Sequence, residues 1–212
     1  MMNLASTALI MIDFQRDFCE PGGYIGEMVG SMDWVKPTLL KAADLLAWAR
    51  LRKLLIVHTM ECYEPDLSDC SEYKLARSKR AGAEIGSFGP LGRFLIKGEY
   101  GSEIVSSLAP REGELIIEKS SYSAFSRTNL LDLLRLEGIK ALIIAGVTAD
   151  VCVHSTLRQA VDEDFECFYI ADCISTPDAS IRNSCEKMIL TEGGIWGHLM
   201  NLDQLLELAD LR

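Results

Sequence analysis

An aspartate, a lysine and a cysteine, far apart in the chain, each stand where an apolar segment gives way to polar residues. Asp13 follows the apolar run 8–12, Lys119 closes the run 115–118, and Cys152 follows the run 141–145 at the expected start of a helix. A cysteine there meets unpaired backbone N–H groups and the positive end of the helix dipole, and an ammonium beside it lowers its pKa further below the free value of about 8.5. The expectation is a thiolate at rest, with Asp13 placed to shuttle a proton. The segment Gly146-Val147-Thr148-Ala149-Asp150-Val151-Cys152-Val153-His154 joins strand to helix, and its turn would aim backbone N–H groups at a point where an oxyanion could sit. Each residue also has a structural role open to it. Cys152 could be a small buried hydrophobe, Lys119 a snorkelling surface residue, and Asp13 the cap of a turn, although a carboxylate directly after an apolar strand is costly to bury without a partner.

His58, His154 and His198 offer alternative general bases. His154 stands two residues after Cys152, and residues two apart on a helix do not face each other, which argues against a Cys–His dyad. His58 ends a strand, where it either lines the pocket or makes a structural hydrogen bond. No second His lies near it and no Asp or Glu stands at an i, i+4 offset, so no metal-ligand set is expected. Neither a Walker A motif nor a GxGxxG after a strand occurs, so no nucleotide or phosphate cofactor is expected.

The elements that must position these residues can be read from apolar patterning. Short apolar runs at 8–12, 54–57, 115–118, 141–145 and 165–171 read as strands. Helical spacing spans 33–52 (Trp34, Leu39, Leu40, Ala43, Leu46, Ala47), 128–137 ended by Gly138, 150–162, 178–185 and 202–211, with a short apolar run at 188–190. Residues 60–92, which contain Pro65, Pro90 and glycines at 82, 86, 89 and 92, are expected to be irregular, a functional loop or lid. The alternation of strand and helix specifies an α/β fold, three-layered and doubly wound around a mostly parallel sheet. Ligands of such sheets bind beyond the carboxyl ends of the strands, where Asp13, Lys119 and the 146–152 turn all lie.

Composition limits the setting. A chain of 212 residues, 49% hydrophobic, is expected to form a single domain over 1–212. A formal net charge of -10 leaves no basic footprint for nucleic acid. Seven cysteines with no CxxC pair fit free thiols in a reducing, cytoplasmic setting rather than a disulfide framework. Residues 1–12 lack a basic n-region, and no signal peptide or membrane span is expected.

Ile12-Asp13-Phe14-Gln15, the Lys119 segment and Gly146-Val147-Thr148-Ala149-Asp150-Val151-Cys152, in that order and spacing, resemble the isochorismatase-like cysteine hydrolases over almost the whole chain. Asp17-Phe18-Cys19-Glu20-Pro21-Gly22-Gly23, Pro65-Asp66-Leu67-Ser68-Asp69-Cys70 and Gly89-Pro90-Leu91-Gly92-Arg93 are similar to the biuret hydrolase branch. The resemblance implies a six-stranded parallel sheet with helices on both faces, and a homo-oligomer, dimer or tetramer. It makes Cys152 the nucleophile, Asp13 the general acid/base and Lys119 the group that holds the thiolate. It also implies a non-proline cis peptide before Thr148, shaping an oxyanion hole from the N–H groups of Thr148 and Cys152.

The implied activity is hydrolysis of a linear C–N bond in a small urea-like amide of the biuret or guanylurea type, without a cofactor, through an acyl-thioenzyme that releases ammonia. Phe14, Tyr24, Tyr122 and Phe125 are expected as pocket walls, closed by the 60–92 loop or a neighbouring subunit. Two departures bear on the substrate. His58-Thr59-Met60-Glu61 does not match the Asp-x-His metal motif of nicotinamidase relatives, which argues against both metal and nicotinamide. Glu192, in Leu190-Thr191-Glu192-Gly193-Gly194, stands where biuret hydrolases carry a glutamine, and with Glu61 it would favour a donor-rich or cationic substrate such as guanylurea. Alternatives are a ureidoacrylate-type hydrolase, isochorismatase-type cleavage of a vinyl ether, in which the cysteine would be dispensable, and a noncatalytic binding protein that retains the fold.

Overall fold

A strand with no polar residue is stable only where both of its faces are covered. In the computed structural model, which describes residues 2–210, the two purest apolar runs form the central strands β1 (Thr7–Ile12) and β6 (Ala141–Val147), buried at every residue. Four further strands complete the sheet: β2 (Leu55–Glu61), β5 (Leu115–Lys119), β7 (Glu166–Ser175) and β8 (His198–Met200). The spatial order is β5-β2-β1-β6-β7-β8, with every neighbouring pair parallel. A separate two-residue hairpin pairs β3 (Phe88–Gly89) with β4 (Gly92–Arg93).

Alternation along β1 divides the core between the two faces of the sheet. Leu9 and Met11 meet α3 (Lys36–Leu51) through Ala42, Leu45, Leu46 and Ala49, and α8 (Leu202–Asp210) through Leu205. Ala8, Ile10 and Ile12 belong to the opposite cluster, with Leu130 and Leu134 of α5 (Leu130–Leu136), Leu157 and Ala160 of α6 (His154–Asp162) and Ile189 of α7 (Ala179–Ile189). Three short helices, α1 (Arg16–Cys19), α2 (Tyr24–Val29) and α4 (Glu72–Arg80), occupy the connections that leave β1 and β2. No helix among the described residues is long and apolar enough to cross a membrane.

The expected α/β layering is present, with differences in detail. Residues 60–92 are not irregular throughout: they hold the end of β2, all of α4 and the β3–β4 hairpin up to Gly92. Helix α4 has no apolar stripe long enough to read. It is held by Ser71, whose hydroxyl accepts from the Lys74 N–H at 3.3 Å as an N-cap. The helix expected over 150–162 begins as a π-helical turn, Ala149–Val153, and becomes α-helical only at His154. The helix expected over 178–185 continues to Ile189 and absorbs most of the run 188–190, while β8 had no signal of its own. Leu211, the expected end of the last helix, lies outside the described residues.

Candidate active site

Parallel strands deliver their carboxyl ends to one edge of the sheet, and four polar side chains gather there. Asp13 follows β1, Glu61 ends β2, Lys119 ends β5 and Cys152 stands in the turn after β6. On the edge strand β5, Ile117 and Lys119 are buried while Ile116 and Glu118 are exposed, so strand alternation turns the ammonium inward. Lys119 Nζ donates to Asp13 Oδ2 at 2.7 Å and to the Ser121 carbonyl at 3.0 Å. Thr59 Oγ1 donates to the other Asp13 oxygen at 2.5 Å. Asp13 has φ +52°, an uncommon conformation for a residue with a Cβ, and its N–H is tied to the Thr59 carbonyl at 3.2 Å. The Val147–Thr148 peptide bond is cis, in line with the family resemblance.

Glu61 is the member of this group whose position the sequence least revealed. Gln15 clamps its backbone, accepting from the Glu61 N–H at 2.7 Å and donating to the Glu61 carbonyl at 3.0 Å. Glu61 Oε2 then accepts from Cys152 Sγ at 3.5 Å, and Oε1 accepts from the Tyr63 hydroxyl at 2.6 Å. Ligand atoms of Asp13, Glu61 and Cys152 lie within 4.8 Å of one another. This trio suits a metal poorly, because the Lys119 ammonium already sits against Asp13 and repels a second cation.

The charges around the sulfur correct one expectation. Burial alone would lower the pKa of Lys119, but the facing carboxylates, Asp13 above all, hold it charged, above the ordinary lysine range. Burial pushes the Cys152 thiol well up; Asp13 and Glu61 push it further, and Lys119 offsets only part of this. The surroundings of Cys152 thus favour the thiol form, against the thiolate expected from a lone lysine and a helix dipole. The lysine's charge is shared with Asp13, and Cys152 sits in the π-helical turn that precedes the α-helix.

Beside the sulfur opens a cavity of about 280 Å³ lined by Tyr24, Glu61, Tyr122, Thr148, Cys152 and Arg77, among others. Residues 7–191 match the isochorismatase domain family. The chain belongs to the isochorismatase family. It is 26% identical over 179 residues to the ureidoacrylate amidohydrolase RutB of Variovorax paradoxus, covering 81% of this chain and 69% of that protein. Against the protein of the same name from Klebsiella pneumoniae the identity is 29% over 160 residues, 72% of this chain and 66% of the relative. An isochorismatase family protein from Desulfovibrio vulgaris superposes with a TM-score of 0.79 at 25% identity, covering 96% of this chain and 98% of that structure.

In this isochorismatase-family chain, Cys152, Thr148, Glu61, Tyr24 and Tyr122 line the cavity, Asp13 and Lys119 lie buried beside Cys152 and Glu61, and three expected pocket residues do not line the cavity. Phe14 is buried in the core cluster on the Leu9 and Met11 face. Phe125 packs on Phe165, with ring centroids 6.0 Å apart, beneath the site. Glu192 is solvent-exposed in a 3-10 turn, Thr191–Gly193, because α7 carries the chain from the carboxyl end of β7 back toward the amino end of the parallel strand β8. The histidines are structural in their contacts: His58 bonds Glu114 at 2.9 Å, His154 faces the Cys185 carbonyl at 3.3 Å, and His198 meets Glu166 at 3.0 Å. Sequence reasoning passed over Thr59, Gln15, Tyr63, Lys74 and Arg77. The signal for the last two was the stretch from Ser71 to Arg80, free of Gly and Pro behind a capping serine, which places residues 74 and 77 on one helix face.

Proposed function

We propose that the protein is a cysteine-dependent amidohydrolase that cleaves a linear C–N bond in a small urea-like amide and releases ammonia. The observation that carries this reading is a buried thiol facing two carboxylates, one of them paired with a buried ammonium, at the wall of a small cavity. Relatives named ureidoacrylate amidohydrolase support amide chemistry. The motif resemblance to biuret hydrolases supports a urea-like substrate.

In the proposed mechanism Asp13 takes the Cys152 proton as the sulfur attacks the carbonyl carbon. The oxygen of the tetrahedral adduct accepts from the backbone N–H groups of Thr148 and Cys152. Asp13 returns its proton to the departing nitrogen, the C–N bond breaks, and ammonia leaves an acyl-thioenzyme. Water deprotonated by Asp13 then attacks the thioester, the C–S bond breaks, the sulfur regains its proton and the acid product departs. Lys119 holds Asp13 in place and offsets the negative charge that sulfur carries during attack. Glu61, an acceptor when ionised, receives the N–H groups that flank a ureide carbonyl. That role passes to Glu61 from Glu192, which faces solvent.

The test is ammonia release from biuret, guanylurea, triuret, ureidoacrylate and nicotinamide, run beside Cys152→Ala. Release from at least one urea-like amide but not from nicotinamide is expected, with a loss of about 10³-fold or more in the variant and an unchanged circular dichroism spectrum. Turnover that survives removal of the thiol would overturn the mechanism. Silence toward every urea-like amide would overturn the substrate class.

A further inference from the structure

Arg77 is the one cation lining the cavity among the described residues, and the chemistry above leaves it unused. It stands three residues after Lys74 on α4, so both side chains leave the same helix face. Lys74 is engaged: it donates to the Tyr63 hydroxyl at 2.8 Å and the Ser120 carbonyl at 2.7 Å, and lies 3.8 Å from Glu61 Oε1. Arg77 has one long hydrogen bond, from Nη2 to the Tyr24 hydroxyl at 3.4 Å, while its Nε is buried with no acceptor. The two aspartates that line the same cavity are turned to other partners. Asp150 accepts from Thr176 Oγ1 at 2.7 Å, and Asp178 caps α7 through the Ser180 N–H at 2.7 Å.

A buried guanidinium N–H without an acceptor is unfavourable, and the planar fork of arginine matches a carboxylate with two parallel hydrogen bonds. In the same cavity Glu61 and Cys152 offer an acceptor and a nucleophile to a carbamoyl group. Resting on the amidohydrolase reading, we infer that Arg77 holds a carboxylate carried by the substrate, so that the urea-like amide is a short ureido acid. Its carbamoyl end lies at Cys152 and Glu61, and its anionic end lies at Arg77. Neutral biuret lacks the group that Arg77 would hold, and cationic guanylurea presents the wrong sign to it.

Calorimetric titration of Cys152→Ala protein with 3-ureidopropionate and with its uncharged primary amide tests this directly. The acid is expected to bind about 10-fold tighter or better, with the preference lost when Arg77→Gln is added and partly kept with Arg77→Lys, a point charge without the fork. In the otherwise native enzyme, Arg77→Gln is expected to raise KM for the acid about 10-fold or more while kcat stays within about three-fold. Equal binding of acid and amide, or a preference that survives Arg77→Gln, would overturn the inference; ammonia release from neutral ureas would then leave the hydrolase reading standing. Arg77-dependent binding of the acid with no ammonia release by the native enzyme would instead overturn the hydrolase reading and leave only an anion site.

Discussion

The reactivity of Cys152 depends on how one ammonium is divided between a sulfur and a carboxylate. Because burial and the Asp13 and Glu61 charges push the thiol up, the thiolate fraction at neutral pH lies below that of free cysteine. Iodoacetamide is therefore expected to alkylate Cys152 more slowly than free cysteine at pH 7, with the rate still climbing above pH 9. Glu61→Gln removes one facing carboxylate and is expected to accelerate alkylation at pH 8; a rate at pH 7 above that of the free thiol would contradict this charge balance. The two carboxylates are also expected to separate kinetically, with Asp13→Asn lowering kcat by about 10³-fold and Glu61→Gln by about 10-fold. Asp13, Lys119 and Cys152 were legible in the sequence because polar residues that close buried strands need partners. The protonation of the sulfur was not legible, since it turns on a 2.7 Å contact between residues 106 positions apart.

Between the strands, Asp17 on α1 ties two of the loops that wall the cavity. Its two oxygens accept from separate backbone donors, Tyr24 N–H at 3.3 Å and Leu95 N–H at 2.8 Å. Asp17→Asn leaves a single acceptor for two buried donors and is expected to cost about 1–3 kcal/mol in urea unfolding. Burial raises the Asp17 pKa from 3.8 to about 6, against the pull of both backbone hydrogen bonds. The folded protein thus keeps a proton that the unfolded chain releases, and this contribution to stability is full below the unfolded value and lost as pH rises through about 6. The stability difference between wild type and Asp17→Asn is expected to shrink from pH 4 to pH 7. Gly146 is a second tight point, where an added Cβ would lie 2.5 Å from the Ile12 carbonyl oxygen. Gly146→Ala is expected to force β1 and β6 apart at a cost of about 1–3 kcal/mol, read as a lowered unfolding midpoint. The strands around these positions were readable because their apolar runs are unbroken. Helix α4 was not: its exposed, charged surface carries no core-facing stripe, and only the Ser71 cap marks it.

All seven cysteines are free and buried. Burial raises Cys19 and Cys173 beyond the ordinary thiol range and Cys62 and Cys167 to about 12. Ellman's reagent at pH 7.5 is expected to find almost no fast-reacting thiol in the native protein and all seven in denaturant; a rapid native equivalent would contradict this burial. The layer order of the chain followed from its alternation of apolar runs and helical stripes, but the short edge strand β8 carries too few residues to announce itself.

The Lys119–Asp13 ion pair reaches over β2, from the outermost strand of the sheet to the loop leaving its centre. Lys119 thus serves as the mooring of a border strand, and with the proposed mechanism fraying at that border is expected to silence turnover while the interior stays intact. On gentle warming, deuterium uptake along β5 is expected to rise in step with the loss of turnover, ahead of any uptake in β1 or β6.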